Sequence, residues 1–564
     1  MVAATMIETS IIDVLTQPLG LYVIALGAGF LIPLFYRVYR GSAILVFFAA
    51  LTVMALIAGI NLLAIINGAP AIDIETAGIK PPFSINLRFG LFEGGFVFAV
   101  NTIALLGAWH YLPKLKQQAS ALLLYLILVM GINGMVMTRD LFNLFIFIEI
   151  TSIATYALIG MERHGNMLAA GFKYIMATSI ASAFFLLGTI FIYYQSGTLN
   201  IDDIIAHKNL IQGPIGLIAT LFLLTSLLIE LKPYPANGWG LDVYETAPSG
   251  IASLISVGVS AGVFFALYKV LPLMDAYLSS IAVIGGVTFI ASNLIALKQD
   301  NTKRLLGYSS IGQIGLMTLA MALLRQMDAD SYLALIVGGL FVNHLFAKAG
   351  LFWLAGLVNR KHISEWSGIA KHPGLLLLLG LFITALIGLP PFPGFWAKWE
   401  LVMLLGSDQS FSWIALILIG SLLEAAYLFR WFSHACEPKL AHEEQPVVTE
   451  IETETKISLM QRAPLTIAAL CLFATGYVMA MIMHVAGPTV FMPLVAGFTM
   501  WLIDGIPGRY KNIPMLVAVA VGGYLLTNNL EGINQLFSYL LIGGGVLVSI
   551  ATMYRSCLLY TSPS

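Results

Sequence analysis

Long apolar segments, bounded by short polar or charged stretches, recur from one end of the chain to the other. A segment of about 20 mainly apolar residues is long enough to cross the hydrocarbon core of a bilayer as an α-helix. The predicted fold class is therefore all-α, a polytopic membrane protein with about fourteen core helices and roughly three more in residues 488–554. The predicted helices, numbered 1 to 14, are 19–38, 42–66, 91–110, 118–138, 140–160, 170–194, 213–232, 248–271, 278–297, 305–324, 331–358, 374–403, 411–433 and 463–486.

The composition supports the same class. The chain has 564 residues, of which 59% are hydrophobic and 10% charged, and its mean hydropathy is +0.90. A soluble domain carries about a quarter charged residues, so this is the composition of an integral membrane protein. The net charge of -1 argues against a nucleic-acid partner. Residues 1–18 lack a basic start and contain two acids, so they do not read as a cleaved signal peptide.

Lysine and arginine are concentrated in alternate loops. The loops after predicted helices 1, 3, 5, 7, 9, 11 and 13 are basic, whereas the loops between them hold few cations. By the positive-inside rule the basic loops are cytoplasmic and the amino terminus lies outside. The basic set comprises Arg37, Arg40, Lys114, Lys116, Arg163, Lys232, Lys298, Lys303, Arg304, Arg360, Lys361, Lys371, Lys439, Lys456 and Arg462.

Several ionisable side chains lie within the apolar segments themselves. The stretch from Asp140 to Gly160 is long enough to cross a bilayer, and Glu149 lies at its middle. A charge at that depth is costly and rarely occurs without a partner or a function. A desolvated lysine gives up its proton more easily than an exposed one, and a neighbouring carboxylate reverses the effect, so buried Lys and Glu can form a proton relay. The candidate proton pathway comprises Glu149, Lys173, Glu230, Lys232, His344, Lys348 and Lys398.

Some of these residues have a simpler interpretation. Lys173 lies near the start of its predicted helix, where its side chain could extend to the lipid headgroups. His344, four residues before Lys348 on one helical face, is either a relay member or a hydrogen-bonded core histidine. Anchoring at the membrane interface is the expectation for Lys269, Glu424 and Arg430, and Glu93 is expected at the surface.

Two predicted helices are broken by proline. Helix 7 ends in LLIELKPYPANGW and helix 12 carries LIGLPPFPGFWAKWE, and each break lies beside a charged residue. Proline removes a backbone hydrogen bond, so the freed carbonyls need protein or water as partners. Two broken segments spaced five helices apart indicate an internally repeated transporter, pairing helices 4–8 with 9–13. The alternative is that proline is simply frequent in membrane helices.

The chain is divided accordingly into five parts. Residues 1–110 contain the first helices and an external loop or hairpin at 67–90, and residues 111–433 form the conducting core. The repeats within that core are about 118–271 and 278–433. A polar cytoplasmic linker is expected at 434–460, further membrane helices at 461–555, and a non-native tail at 556–564, which reads as translated vector sequence.

Several segments together resemble a known superfamily. ALKQDNTKRLLGYSSIGQIG and WGLDVYETAPSGIASL are similar to signature segments of the antiporter-like subunits of respiratory complex I, the Mrp cation/proton antiporters and the membrane-bound hydrogenases. DLFNLFIFIEITSIATYAL, NHLFAKAGLFWLAG and GLPPFPGFWAKWELV match in the same order, and the DVYE-x-AP form is closest to the quinone-side subunit of complex I. The resemblance covers residues 80–430. It implies two inverted five-helix repeats and a chain of buried Glu, Lys and His.

The resemblance also assigns roles, and it fails at two places. Glu149, Lys348 and Lys398 stand where the family has its helix-5 glutamate, helix-11 lysine and helix-12 lysine. The helix-7 lysine of the family, however, falls on Glu230, and its helix-8 lysine falls near Ser260. Three interpretations remain open. Lys232 replaces the missing lysine and pairs with Glu149; or Glu230 opposes Glu149 and Lys232 extends to the surface; or the first repeat no longer pumps.

The function implied by the resemblance is a proton-translocating membrane subunit of a complex I-like NADH:quinone oxidoreductase. The alternatives are an Mrp-type Na+/H+ antiporter subunit, a membrane-bound hydrogenase subunit, or a structural anchor that does not conduct. No flavin, haem, iron–sulfur or metal motif is present in the sequence, so no cofactor or catalytic residue is expected in this chain. The expected partners are other membrane subunits, H+ or Na+, and the lipid of a bacterial or archaeal cytoplasmic membrane.

Overall fold

The computed structural model describes residues 16–75, 79–81, 84–161, 165–437 and 459–483, and these residues are almost entirely helical. Thirteen helices within them are long and apolar enough to cross a membrane, and a fourteenth crossing is made of two shorter helices. The predicted fold class is therefore confirmed. Most of the linker at 434–460, the region 488–554 and the tail at 556–564 lie outside the described residues.

The membrane helices are numbered α1 to α14 in chain order, with a and b for the parts of the two broken helices. Their bounds lie within a few residues of the prediction. They are α1 Gly20–Val38, α2 Arg40–Ile66, α3 Leu91–Leu115, α4 Ala119–Met137, α5 Leu141–Gly160, α6 Gly165–Ser196, α7a Pro214–Leu231, α7b Gly238–Thr246, α8 Ser249–Leu273, α9 Leu278–Ala296, α10 Thr302–Gln326, α11 Asp330–Val358, α12a Pro373–Ile387, α12b Pro393–Ser407, α13 Phe411–Cys436 and α14 Leu459–Ile482.

The loop between α2 and α3 contains a short hairpin, one of the two forms expected for 67–90. Strand β1, Ile72–Glu75, pairs antiparallel with β2, Asn86–Phe89. Short helices also precede and follow some membrane helices, including Ile201–Ala206 between α6 and α7a.

Helices α8 and α10 lie at the centre of the bundle, where the residues of their membrane-spanning windows are all inside the protein. Within the part of the chain that the structure describes, two helices contain a π-helical turn, α8 at Ile255–Val259 and α11 at Ala334–Gly338. In α8 the wider turn lets the hydroxyl of Ser260 donate to the carbonyl of Ile255, five residues earlier. Such turns are frequent at functional sites because they shift the side-chain register of a helix.

The internal repeat is visible in the loops. Asp140, the N-cap of α5, forms a backbone bridge to Asn200 after α6, and Asn301, the N-cap of α10, forms the equivalent bridge to His362 after α11. The backbone hydrogen bonds beside the two bridges follow the same pattern. The fourth helix of each repeat is broken. Because five crossings separate equivalent helices, the second repeat is inverted relative to the first.

The two breaks have similar local geometry. Helix α7a ends at Lys232 and α12a ends at Gly388, and both C-cap residues have the left-handed conformation, with φ of 60° and 85°. Prolines follow within three residues of each cap and prevent the helix from continuing. The breaks leave carbonyl groups without helical partners inside the membrane, and these require polar donors.

Candidate proton-conducting site

The second break holds a lysine and a glutamate that face each other. Lys398, on α12b, lies 3.7 Å from a carboxylate oxygen of Glu424 on α13, and its ammonium donates to the carbonyl of Ile387 at 3.1 Å. Glu424 is completely buried. The prediction that Glu424 anchors the membrane interface was therefore wrong. The position of Glu424 near the end of its predicted helix did not indicate which face of that helix it occupies. In the structure, this face of α13 is turned towards α10 and α12b.

Glu424 is also bonded to α10, and through it to α11. Ser309 donates to Oε1 of Glu424 at 3.1 Å, and Gln313 donates to Oε2 at 2.5 Å. The ammonium of Lys348 in turn donates to the hydroxyl of Ser309 at 2.5 Å. Lys348, Ser309, Glu424 and Lys398 thus form one continuous polar line across three helix interfaces.

The first break is organised around Lys232. Its ammonium lies 2.9 Å from the carbonyl of Glu230, 3.3 Å from the hydroxyl of Ser260 and 5.2 Å from the ring centre of Trp239. Only 2% of Lys232 is exposed, so the interpretation in which it extends to the surface is wrong. In both repeats, therefore, a lysine donates to a carbonyl freed by the break.

The predicted Glu149–Lys232 ion pair is absent: among the described residues no cation lies within 4.0 Å of the Glu149 carboxylate. Glu149 is half-buried, whereas Glu230 is buried and its Oε1 has no hydrogen-bond partner in the described part of the chain. Glu230 interacts electrostatically with both Lys232 and Glu149. Lys232 is thus paired locally because its left-handed backbone turns the side chain back over its own helix end.

Lys173 differs from the other predicted lysines because its side chain is exposed. Its side chain is 57% exposed, in keeping with the alternative of a side chain that extends from the start of its helix, and it forms an ion pair with Asp242 on α7b at 2.5 Å. Asp242 also accepts from Arg304 of α10 at 2.8 Å. Burial raises the pKa of Asp242, but the hydrogen bonds and charges of Lys173 and Arg304 outweigh it and hold that pKa below its usual value.

His344 lies between the two lysine sites. It is buried, and neither ring nitrogen has a hydrogen-bond partner among the described residues. A narrow crevice beside it is lined by Ser256 and Ser260 and leaves no room for a water molecule. Ser256 is bonded to Ser310 of α10 at 2.7 Å. The polar line is thus interrupted between Ser260 and Lys348 in this conformation.

Sequence reasoning missed a second buried group at the other end of α8. Lys269 was expected at the interface, but only 3% of it is exposed and it donates to two carbonyls near the end of α4. Glu93, expected at the surface, is 7% exposed and lies 3.9 Å from Arg139. An available signal was the apolar run VFFALY that directly precedes Lys269.

The fold and this line of buried charges define a class of protein, the polytopic membrane subunits that are built from inverted repeats and carry Lys and Glu at helix breaks. Residues 138–425 match the family model described as "NADH:quinone oxidoreductase/Mrp antiporter, TM". The chain belongs to this family, which confirms the resemblance seen in the sequence.

Named relatives and a solved structure agree. The chain is 31% identical over 437 residues to NADH-quinone oxidoreductase subunit N of Desulforudis audaxviator, covering 73% of this chain and 84% of that one. It is 27% identical over 389 residues to a subunit of the Na(+)/H(+) antiporter of Alkalihalophilus pseudofirmus, covering 66% and 77%. The Mrp complex from Dietzia sp. contains a chain with the same fold, with a TM-score of 0.73 and 22% identity, covering 84% of this chain and 96% of that one.

The predicted class of function, an antiporter-like proton-translocating membrane subunit, is thereby confirmed. The protein is integral to the membrane and multi-pass, and proteins of this family occur with other membrane subunits in prokaryotic complexes.

Proposed function

We propose that this chain moves protons along the membrane plane as a subunit of a complex I-like NADH:quinone oxidoreductase. The observation that carries the proposal is the continuous line Lys348–Ser309–Glu424–Lys398, buried at the centre of the second repeat. A single carboxylate between two lysines balances one ammonium at a time, and protonation of any one group changes the cost of charging the others. Such a line can therefore store a proton and release it when a neighbouring charge changes.

The first repeat supplies the other half of the proposed path. Lys232 takes the role of the family's missing lysines, and Glu149 and Glu230 are the acidic groups near it. A change in the charge of Glu149 alters the interaction of Glu230 with Lys232, because the three groups lie within electrostatic range at low dielectric. Transfer then continues through His344 to Lys348 once water enters the crevice beside Ser260. Lys173 is assigned to the cytoplasmic entrance, and its exposed ion pair with Asp242 supports this assignment.

Redox chemistry is assigned to partner subunits, since this chain carries no motif for a flavin, haem or iron–sulfur centre. The orientation proposed from the basic loops places the amino terminus outside and the faces around Lys298 and Lys361 in the cytoplasm of a bacterial or archaeal cell. The exposed apolar side chains of α1, α2 and α6 contact lipid or neighbouring subunits in this arrangement.

The test is proton pumping by the purified complex reconstituted into liposomes. Lys398→Ala is expected to abolish proton uptake while quinone reduction and subunit assembly persist, because Glu424 keeps its hydrogen bonds from Ser309 and Gln313 and can take up a proton once its counter-charge is gone. Lys298→Ala, at an exposed position of the cytoplasmic loop, is the matched control and should pump like the wild type. Normal pumping by Lys398→Ala would refute both the route and its conducting role, and would favour a structural anchor.

The second candidate is a subunit of an Mrp-type Na+/H+ antiporter, favoured by the match to the Alkalihalophilus antiporter and by the fold of the Mrp complex. The two functions differ in their energy source. Proton movement driven by a Na+ gradient in the absence of quinone would select the antiporter, whereas movement that requires quinone reduction selects the oxidoreductase.

A further inference from the structure

Lys269 is a buried cation that the proposed route does not use. It lies in the last turns of α8, and its ammonium donates at 2.6 Å to the carbonyls of Met135 and Thr138 at the end of α4. These two acceptors leave its third N–H without a polar partner among the described residues. Capping the end of α4 explains the two bonds, because helix carbonyl ends attract cations. It does not by itself require a titratable side chain, since a buried arginine would cap the same carbonyls.

Ionised groups connect Lys269 to one face of the protein. Glu93 and Asp202 attract its charge and Arg139 repels it. Arg139 forms ion pairs with both acids, and the exposed fraction of the side chain alone rises from 9% at Glu93 to 42% at Asp202. The cluster therefore leads from a buried ammonium to solvent. The charge asymmetry of the loops assigns this face to the outside.

Three aromatic rings in contact, one pair edge-on and one pair stacked, separate Lys269 from the polar line. Phe265, on α8, lies with its ring centre 6.0 Å from the Lys269 ammonium and 4.6 Å from the ring centre of Phe96. Phe96 stacks on Phe341 with ring centres 3.9 Å apart. Phe341 in turn lines the crevice that contains His344 and Ser260. The three rings, from α3, α8 and α11, thus fill the space between the buried serines and the buried lysine of α8.

We propose that Lys269 is the proton acceptor of an outward exit from the first repeat, and that Phe96, Phe265 and Phe341 form its barrier. This inference rests on the proposed function. The Lys269 ammonium first releases its proton towards the carboxylate of Asp202 and the outer solution, which leaves a neutral amine. When the rings separate, water that enters the crevice carries a proton to this amine and restores the ammonium. With the rings in contact, as in this structure, the exit is closed.

The first arm of the test measures passive proton flux into liposomes that contain the resting complex, without quinone turnover. Phe265→Ala removes the ring next to Lys269 and is expected to raise the flux several-fold above the wild type. Adding Lys269→Met should return it to the wild-type level. A leak that is unchanged by Lys269→Met, or no leak in an assembled Phe265→Ala complex, overturns the proposal. Phe265→Leu is the milder variant if the alanine complex does not assemble.

The second arm separates proton transfer from helix capping during turnover. Lys269→Arg keeps the charge and the donors to the α4 carbonyls but does not deprotonate in proteins, so it should assemble normally and lose pumping. Normal pumping by Lys269→Arg would show that Lys269 only caps α4. Lys208→Arg and Lys208→Met, at an exposed lysine paired with Asp275 on the same face, are the matched controls. The passive flux does not depend on redox coupling, so failure of this exit is distinguishable from failure of the Lys398 route.

Discussion

At the residue scale, the neighbours that the fold brings to a charged side chain decide its role more than its position along a helix does. Glu424 accepts from Ser309 and Gln313 and faces Lys398, so each of its oxygens has a donor. A buried charge whose partner is removed remains uncompensated, whereas removing both charges together relieves that cost. This asymmetry distinguishes a functional pair from two independent buried groups.

The asymmetry leads to a prediction for the Glu424–Lys398 pair. Glu424→Gln is expected to destabilise the chain by about 3–5 kcal/mol, because it leaves Lys398 without a counter-charge. The double variant Glu424→Gln with Lys398→Met should recover much of that loss while remaining unable to pump. Thermal unfolding in detergent, followed with pumping in liposomes, measures both effects. Additive losses of stability in the double variant would show that the two residues are not coupled.

A second residue-scale prediction concerns pH. Asp242 links α6, α7b and α10 through Lys173 and Arg304, and these contacts lower its pKa. Its stabilisation is therefore present above the pKa of the unfolded chain, about 3.9, and is lost as the pH falls through the lower pKa of the folded chain. Asp242→Asn should cost about 1–2 kcal/mol at pH 7 and less near pH 3, because protonation of the carboxylate begins to remove its ion pairs there. Unfolding curves at both pH values test this, with the exposed Glu75→Gln as control.

The sequence located some of these residues and misplaced others for a physical reason. Lys348 lies in the middle of an apolar segment, where no helix end is within reach of its side chain, so its burial could be predicted. Lys173 and Glu424 lie nearer to helix ends, and there burial depends on which face a neighbouring helix covers. That packing is a tertiary property, and the hydrophobic pattern of one helix does not contain it.

At the element scale, the broken helices are the parts of the fold that the sequence predicted best. Proline reports a break directly because it cannot complete the hydrogen bonds of a helix. What the prolines could not indicate is the conformation of the C-cap. Lys232 adopts a left-handed backbone that glycine accepts more readily, and Gly388 occupies the same place in the second repeat. The first repeat therefore places its lysine on the cap, and the second places its lysine on α12b.

This difference leads to a prediction about the first break. Lys232→Ala and Lys232→Gly both remove the ammonium from Ser260, so both should impair translocation. The glycine variant should nevertheless be more stable than the alanine variant by about 1 kcal/mol, because only glycine adopts the left-handed conformation without steric cost. Chemical unfolding of the two variants measures the difference. Equal stability would mean that the cap relaxes to another conformation when the side chain is shortened.

At the scale of the whole molecule, the inverted repeat places the two functional ends on opposite faces. Asp242, Arg304 and Lys173 lie at one face, and Asp202, Arg139 and Lys208 lie at the other, with the lysine sites between them. The number of crossings was predictable because each apolar segment is long enough to span a bilayer. The orientation rests on the basic loops alone, and Lys232, which was counted among them, is buried. The remaining loop charges still favour one direction.

The orientation can be measured with single cysteines at the two faces. In a parent chain whose three cysteines are replaced by serine, Lys208→Cys and Lys298→Cys each introduce one thiol at an exposed position. A maleimide that does not cross membranes should label Lys208→Cys in intact cells and should label Lys298→Cys only after permeabilisation. Lys208 belongs to the face that carries Asp202, and Lys298 to the basic loop between α9 and α10. The opposite pattern would reverse the assignment of the Lys269 exit to the outside, since that assignment depends on the same loop charges.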